Sequence, residues 1–174
     1  MAHTYARVER ERRFLLAGPP DPASVVATRE IVDRYLDGTR LRLRAMTDVR
    51  TGHTDYKLTQ KVPAEQDPAR GLLTTIYLDR EEYQVFARLP AAVLRKTRYS
   101  VPPLGVDVFA DTLRGLIMAE AEFAEDAALD AFAPPAWVIA EVTGDPRFTG
   151  GRLVRAARQD LREQLREYGV TLGS

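Results

Sequence analysis

Residues 40–44 read Arg40, Leu41, Arg42, Leu43, Arg44, a strict alternation that puts three guanidinium groups on one side of an extended chain and two leucines on the other. A helix would scatter these side chains around its axis; a strand sorts them into two faces. The same sorting recurs along the chain. Glu9, Glu11 and Arg13 share a face opposite Arg10 and Arg12, and Lys57, Thr59 and Lys61 lie opposite Leu58. Lys96 and Arg98 lie opposite Thr97 and Tyr99, and Glu120 and Glu122 opposite Ala119, Ala121 and Phe123. Strands with paired like charges are thus acidic at the two ends of the series and basic in its middle.

Like charges two residues apart on a strand stand about 7 Å from each other. At an effective dielectric near 20 their repulsion is roughly 2 kcal/mol, and less in open water. A solvated outer sheet face would account for any one of these strands. Nothing obliges a solvent face to segregate its signs over several strands. If the sheet closes and the charged faces line its interior, each charge needs a partner, and the basic strands exceed what Glu9, Glu11, Glu120 and Glu122 can neutralise. A multivalent anion would supply the balance. The carboxylates suit Mg²⁺ or Mn²⁺, hard cations that take carboxylate and phosphate oxygens together. The combination describes a site for a metal and a polyphosphate.

The remaining sequence is consistent with one compact domain. Turn residues punctuate 18–22, 51–53, 63–71, 102–105, 134–135 and 150–151. Between them, residues 5–15, 34–46, 55–62, 73–78, 94–101, 105–110 and 115–123 read as strands, and 24–34, 80–89 and 152–168 as helices, the last the longest. This predicts an α+β fold, an antiparallel sheet that curls or closes into a barrel with few helices. With 25 basic and 25 acidic residues the net charge is zero, so any polyanion site must be local. No exposed basic stripe with interleaved aromatics speaks for nucleic acid. The absence of cysteine excludes thiolate metal sites and disulfides. No apolar run approaches membrane-spanning length and no signal-peptide pattern opens the chain, so a cytoplasmic protein with no membrane partner is expected. His3 and His53 read as solvated bystanders.

These segments also carry a family resemblance. VERERRFLL (residues 8–16) resembles the N-terminal ExExK signature of the CYTH superfamily, the triphosphate tunnel metalloenzymes, with Glu9 and Glu11 on its glutamates and Arg13 on its lysine. RLRLR (40–44) resembles the second-strand basic motif and KLTQK (57–61) the third-strand LTxK. LRKTRYSV (94–101), VDVF (106–109), GLIMAEAEF (115–123) and PAWVIAEVTGDPRF (135–148) follow in the family's order, so the resemblance covers about residues 5–153.

The resemblance implies a single domain over residues 1–174, an eight-stranded antiparallel tunnel built from about residues 5–123, and flanking helices including one near 152–168. It implies Mg²⁺ or Mn²⁺ on Glu9, Glu11, Glu120 and Glu122, with Asp107 a further metal candidate. Arg13, Arg42, Arg44, Lys61 and Arg98, with Lys57 and Lys96 beside them, would bind the substrate, and Glu122 or Glu11 would orient the attacking water. The activity implied is that of the short bacterial inorganic triphosphatases: hydrolysis of tripolyphosphate, ATP or another organic triphosphate. Class IV adenylyl cyclase chemistry and non-catalytic triphosphate or polyphosphate binding are the alternatives. The chain departs from the family pattern in four places. Arg13 replaces a lysine, Arg70 is followed by Leu72, Thr74 and Ile76 where an RxExE pattern is usual, Gly105 precedes Val106 and Asp107, and Gly150 stands where an asparagine is common.

Overall fold

The computed structural model describes residues 4–64 and 66–172; His3 lies outside them. Among the described residues nine strands form one antiparallel sheet: β1 (Arg7–Leu16), β2 (Ala27–Leu36), β3 (Leu41–Asp48), β4 (Thr54–Pro63), β5 (Arg70–Leu78), β6 (Ala91–Val101), β7 (Leu104–Phe109), β8 (Ile117–Glu122) and β9 (Val138–Glu141). Their order is β5-β4-β3-β2-β6-β7-β8-β1-β9, and β1 also pairs with β5, which closes the first eight into a barrel. One edge of β1 is shared in two stretches. Residues 7–10 pair with β5, and 14–16 pair with β9, which takes over where β5 diverges. Closure pairs β1 on both sides and sorts every strand into an inner and an outer face.

The helices are short: α1 (Arg80–Phe86), α2 (Asp126–Ala131), α3 (Gly150–Leu153) and α4 (Arg158–Glu167). Helix α1 starts at a capping box, with Asp79 accepting from the Glu82 amide and the Glu82 side chain accepting from the Asp79 amide. Among the described residues no helix is long and apolar enough to cross a membrane.

Three expectations are corrected. Residues 24–34 are not a helix: after a short 3-10 turn at Pro22–Ser24 the chain enters β2. Ile31, Val32, Tyr35 and Leu36 mimic a helical stripe, but β2 hydrogen-bonds to β6 on one side and β3 on the other, and two complete ladders outweigh a weak local preference. The strand read over 34–46 is likewise two strands, broken by a turn where Gly38 takes φ +70°. The helix read over 152–168 divides into α3 and α4 with a break between them, and β9 and α2 stand in segments where no element was read.

Three apolar clusters hold these parts together. Phe14, Leu16, Leu104, Val106, Ala119 and Ala121 pack on the outer face of the barrel, with Phe132 after α2. Leu36, Leu43 and Leu58 pack outward against Tyr83 and Phe86 of α1. The third cluster enters the barrel itself. Leu15, Leu94, Phe109 and Met118 continue the inner faces of their strands and meet Leu153 of α3 and Leu161 and Leu165 of α4. The C-terminal helices therefore seal one end of the interior with apolar side chains, and the charged residues occupy the other. Fully burying each such leucine or phenylalanine contributes about 1.5–3 kcal/mol, so the seal is a substantial part of the core.

Candidate active site

Register places the charged residues on the inner face. Glu11 stands opposite Glu122 and Arg13 opposite Glu120 across β1 and β8, and Arg98 opposite Asp107 across β6 and β7. Arg44 stands opposite Lys57 and, on its other side, opposite Asp33. The outer charges of β1 are engaged elsewhere: Arg10 donates to Asp126 and Arg12 to Glu141 and the Phe132 carbonyl. Arg70 also faces outward, bound to Asp67 and Asp126, so the inward residues of β5 are Gly71, Leu73, Thr75 and Tyr77.

Most inner cations are paired with carboxylates. Arg98 donates from Nε to Asp107 Oδ1 at 2.7 Å and from Nη2 to Oδ2 at 2.6 Å, and it also donates to Glu120. Lys96 Nζ reaches the same Asp107 Oδ2 at 2.5 Å. Arg44 donates from Nε and Nη2 to the two oxygens of Asp33 at 2.6 and 2.8 Å. Asp33 and Asp107 are 1% and 0% exposed, so these are dry ion pairs, whose Coulomb gain has to offset a large desolvation cost. Burial pushes the Asp33 carboxyl up, but Arg44 and then Arg42 outweigh it and hold it well below the usual range. Burial opposes the Glu120 charge in the same way, and Arg98 prevails.

The acidic cluster behaves differently. Lys61 Nζ lies 2.7 Å from Glu9 and 3.4 Å from Glu11. Burial, followed by the charge of Glu120, still pushes the Glu11 carboxyl up to about 7, because Lys61 and Arg13, the latter 3.8 Å away, do not offset burial and the neighbouring carboxylates. Oxygen donors short of positive charge fit Mg²⁺ or Mn²⁺. Among the described residues no three ligand-type side chains converge into a ready-made metal cage, so a cation would gather these carboxylates in exchange for Lys61 and Arg98. Glu122 is exposed at the mouth, lining a cavity of about 210 Å³ with Arg7 and Glu9. Asp107, in place of an open carboxylate, presents one already occupied by Lys96 and Arg98.

Among the described residues three buried guanidinium nitrogens lack an acceptor, the Nε atoms of Arg13, Arg34 and Arg42. Arg34 lies on the outer face, where it donates to the Ala87 carbonyl, and Arg13 and Arg42 lie on the inner one. A buried N–H without a partner costs about 1–3 kcal/mol. Arg13 is otherwise fixed, its backbone amide donating to Thr143 Oγ1 at 3.0 Å and its Nη2 to the Thr143 carbonyl at 2.8 Å. Thr143 in turn donates to Glu141, the partner of Arg12. Lys57 lies over the Tyr77 ring at 4.9 Å. Cations held in place, two of them with donors left over, form a receptor for a compact polyanion.

The comparisons with known proteins agree with this geometry. The inorganic triphosphatase of Nitrosomonas europaea is 33% identical over 157 residues, spanning 80% of this chain and 92% of that protein. The chain belongs to the CYTH family of short bacterial triphosphatases. A crystal structure of an inorganic triphosphatase superimposes with TM-score 0.55 at 29% identity, covering 85% of this chain and 95% of that one. The inorganic triphosphatase of Acetivibrio thermocellus is 36% identical over 75 residues, 41% of this chain and 47% of that protein. No protein-family model matches the chain.

In this family member the structure brings Glu9, Glu11, Arg13, Arg42, Arg44, Lys57, Lys61, Lys96, Arg98, Asp107 and Glu120 to the inner face, with Glu122 at its rim. Sequence reasoning missed Asp33, Tyr35 and Thr143. The alternation Ile31, Asp33, Tyr35 was the available signal for the first two, and the helical reading of 24–34 concealed it. Tyr35 joins the apolar seal, and burial, with Asp33 next, raises its hydroxyl to about 12. Gly150 has a local reason: a Cβ there would lie 1.9 Å from the Tyr35 hydroxyl oxygen.

Proposed function

We propose that this chain hydrolyses inorganic tripolyphosphate with Mg²⁺ or Mn²⁺, inside the charged half of its barrel. The observation that carries this reading is the pair of acceptor-less buried donors on the inner face, Arg13 Nε and Arg42 Nε, beside cations already fixed by aspartates. Names of relatives support the reaction class. Arg13, Arg42, Arg44 and Arg98 would take the non-bridging oxygens, with Lys57, Lys61 and Lys96 adding charge. This is positioning and charge neutralisation, the main contribution a protein makes to phosphoryl transfer. Glu9, Glu11, Glu120 and Glu122 would hold the divalent cation, which when bound neutralises phosphate oxygens and lowers the pKa of water. Glu122 or Glu11 would accept the proton of the attacking water. The apolar seal at the other end keeps bulk water from entering behind the anion.

Phosphate release from tripolyphosphate, ATP and thiamine triphosphate, each with Mg²⁺, Mn²⁺ or EDTA and with cyclic AMP followed in parallel, tests the reading. Metal-dependent release from tripolyphosphate is expected, and Glu9→Gln should abolish it without loss of the folded circular dichroism spectrum. Equal turnover in EDTA, or by Glu9→Gln, would remove the metal assignment. One observation favours a binding module instead: the inward face of β5 bears no carboxylate. Tight tripolyphosphate binding with no release would select that reading.

A further inference from the structure

Asp33 lies on no segment of the sequence that speaks for function, yet it is the most enclosed charge on β2, 1% exposed and inside the barrel. A buried carboxylate is a poor way to stabilise a fold, since apolar residues of similar volume commonly do as well or better. What Asp33 does is geometric. It faces Arg44 directly across β2 and β3 and engages Nε and Nη2 in a two-point fork. Across β6 and β7, Asp107 faces Arg98 directly and engages the same two nitrogens. In both forks Nη1 is the nitrogen the aspartate does not use.

Asp33 also acts on a second cation. Arg42 Nε sits 3.7 Å from Asp33 Oδ1, near enough for attraction but not hydrogen-bonded, and this Nε is one of the two inner-face donors buried without an acceptor. Asp33 thereby clamps one arginine and draws a second toward it while leaving that arginine's donor open. A free guanidinium has about 2 kcal/mol of rotamer entropy to lose on binding, and a fork formed beforehand removes that loss from the binding step.

We propose that Asp33 is a positioning residue of the anion site, fixing Arg44 and orienting Arg42 so that both present nitrogens to phosphate oxygens. The proposal rests on the triphosphate reading above. It is tested on the full chain with inorganic tripolyphosphate, by steady-state phosphate release and by calorimetric titration, with folding followed by circular dichroism and thermal denaturation. Asp33→Asn should raise KM and Kd about tenfold or more, the size expected for a misaligned charge-assisted contact, with kcat within about threefold of wild type. Asp33→Glu, which restores the charge but displaces it by a methylene, should recover thermal stability and keep a raised KM. If Asp33→Asn does not fold, Asp33→Glu carries the test. In the double variant Asp33→Asn, Arg44→Gln, the rise in KM over Arg44→Gln alone should be smaller than the rise Asp33→Asn causes in wild type, because only the orientation of Arg42 is left to lose.

Unchanged KM and Kd in both Asp33 variants, with loss confined to kcat or melting temperature, would make Asp33 a structural counter-ion and overturn the proposal. Additive effects in the double variant would do the same. A wild-type chain that binds tripolyphosphate without turnover leaves the titration as the readout, so the positioning role stands or falls on Kd. A wild-type chain that neither binds nor hydrolyses it overturns both the function and the positioning role.

Discussion

At the scale of single residues, the interior distinguishes cations already satisfied from cations left with donors to spare. Arg44, Lys96 and Arg98 are hydrogen-bonded to carboxylates, whereas Arg42 keeps a buried Nε without a hydrogen-bond acceptor. Arg42→Ala should weaken tripolyphosphate binding by about 1.5–3 kcal/mol, the range for a hydrogen bond to a charged group, read as a rise in Kd by titration. An effect of a few tenths would place Arg42 outside the binding surface. Thr143 links Arg13 to Glu141 from outside the barrel. Thr143→Val keeps its shape but leaves the buried Arg13 amide without its acceptor, so the variant should lose about 1–3 kcal/mol of stability by denaturant titration. It should also lose activity, because Arg13 is then held by fewer bonds.

At the scale of elements, what fixes the site is the way strands and short helices lock to one another. β9 is only four residues long, yet it aligns β1 where β5 departs and brings Thr143 beneath Arg13. Helix α3 approaches β2 so closely that only glycine fits at position 150, against the Tyr35 hydroxyl. Gly150→Ala should therefore cost about 1–3 kcal/mol by overpacking, measured as a lower melting temperature. Adding Tyr35→Phe, which deletes the nearest atom, should recover part of the loss. Full stability in Gly150→Ala alone would show that α3 moves freely over β2. The strands were legible because alternation survives in sequence. β2 was not, since its apolar residues also fit a helical stripe and only its two neighbours decide between them.

At the scale of the whole molecule, the barrel is half charged and half apolar inside, and the charged half makes its stability depend on pH. Asp33 is held well below its ordinary carboxyl range despite its burial, by Arg44 and Arg42, and Glu120 likewise by Arg98. A carboxyl depressed on folding contributes stability above its unfolded pKa, near 4, and that contribution is lost as pH falls toward its folded value. Denaturant stability should accordingly drop as pH is lowered below about 4, and the drop should be shallower in Asp33→Asn; an equally steep fall would show that other carboxylates govern acid unfolding. The sequence alone determined the strand character of the charged segments, the segregation of acidic from basic strands and the family, because side-chain alternation and local motifs are properties of neighbours along the chain. Only the tertiary structure decided that Asp33 pairs with Arg44, that Arg70 turns outward, that Thr143 holds Arg13 and that the C-terminal helices seal one end. Those outcomes depend on register between strands and on contacts between segments far apart in sequence, where the cost of burying each charge selects the partner it receives.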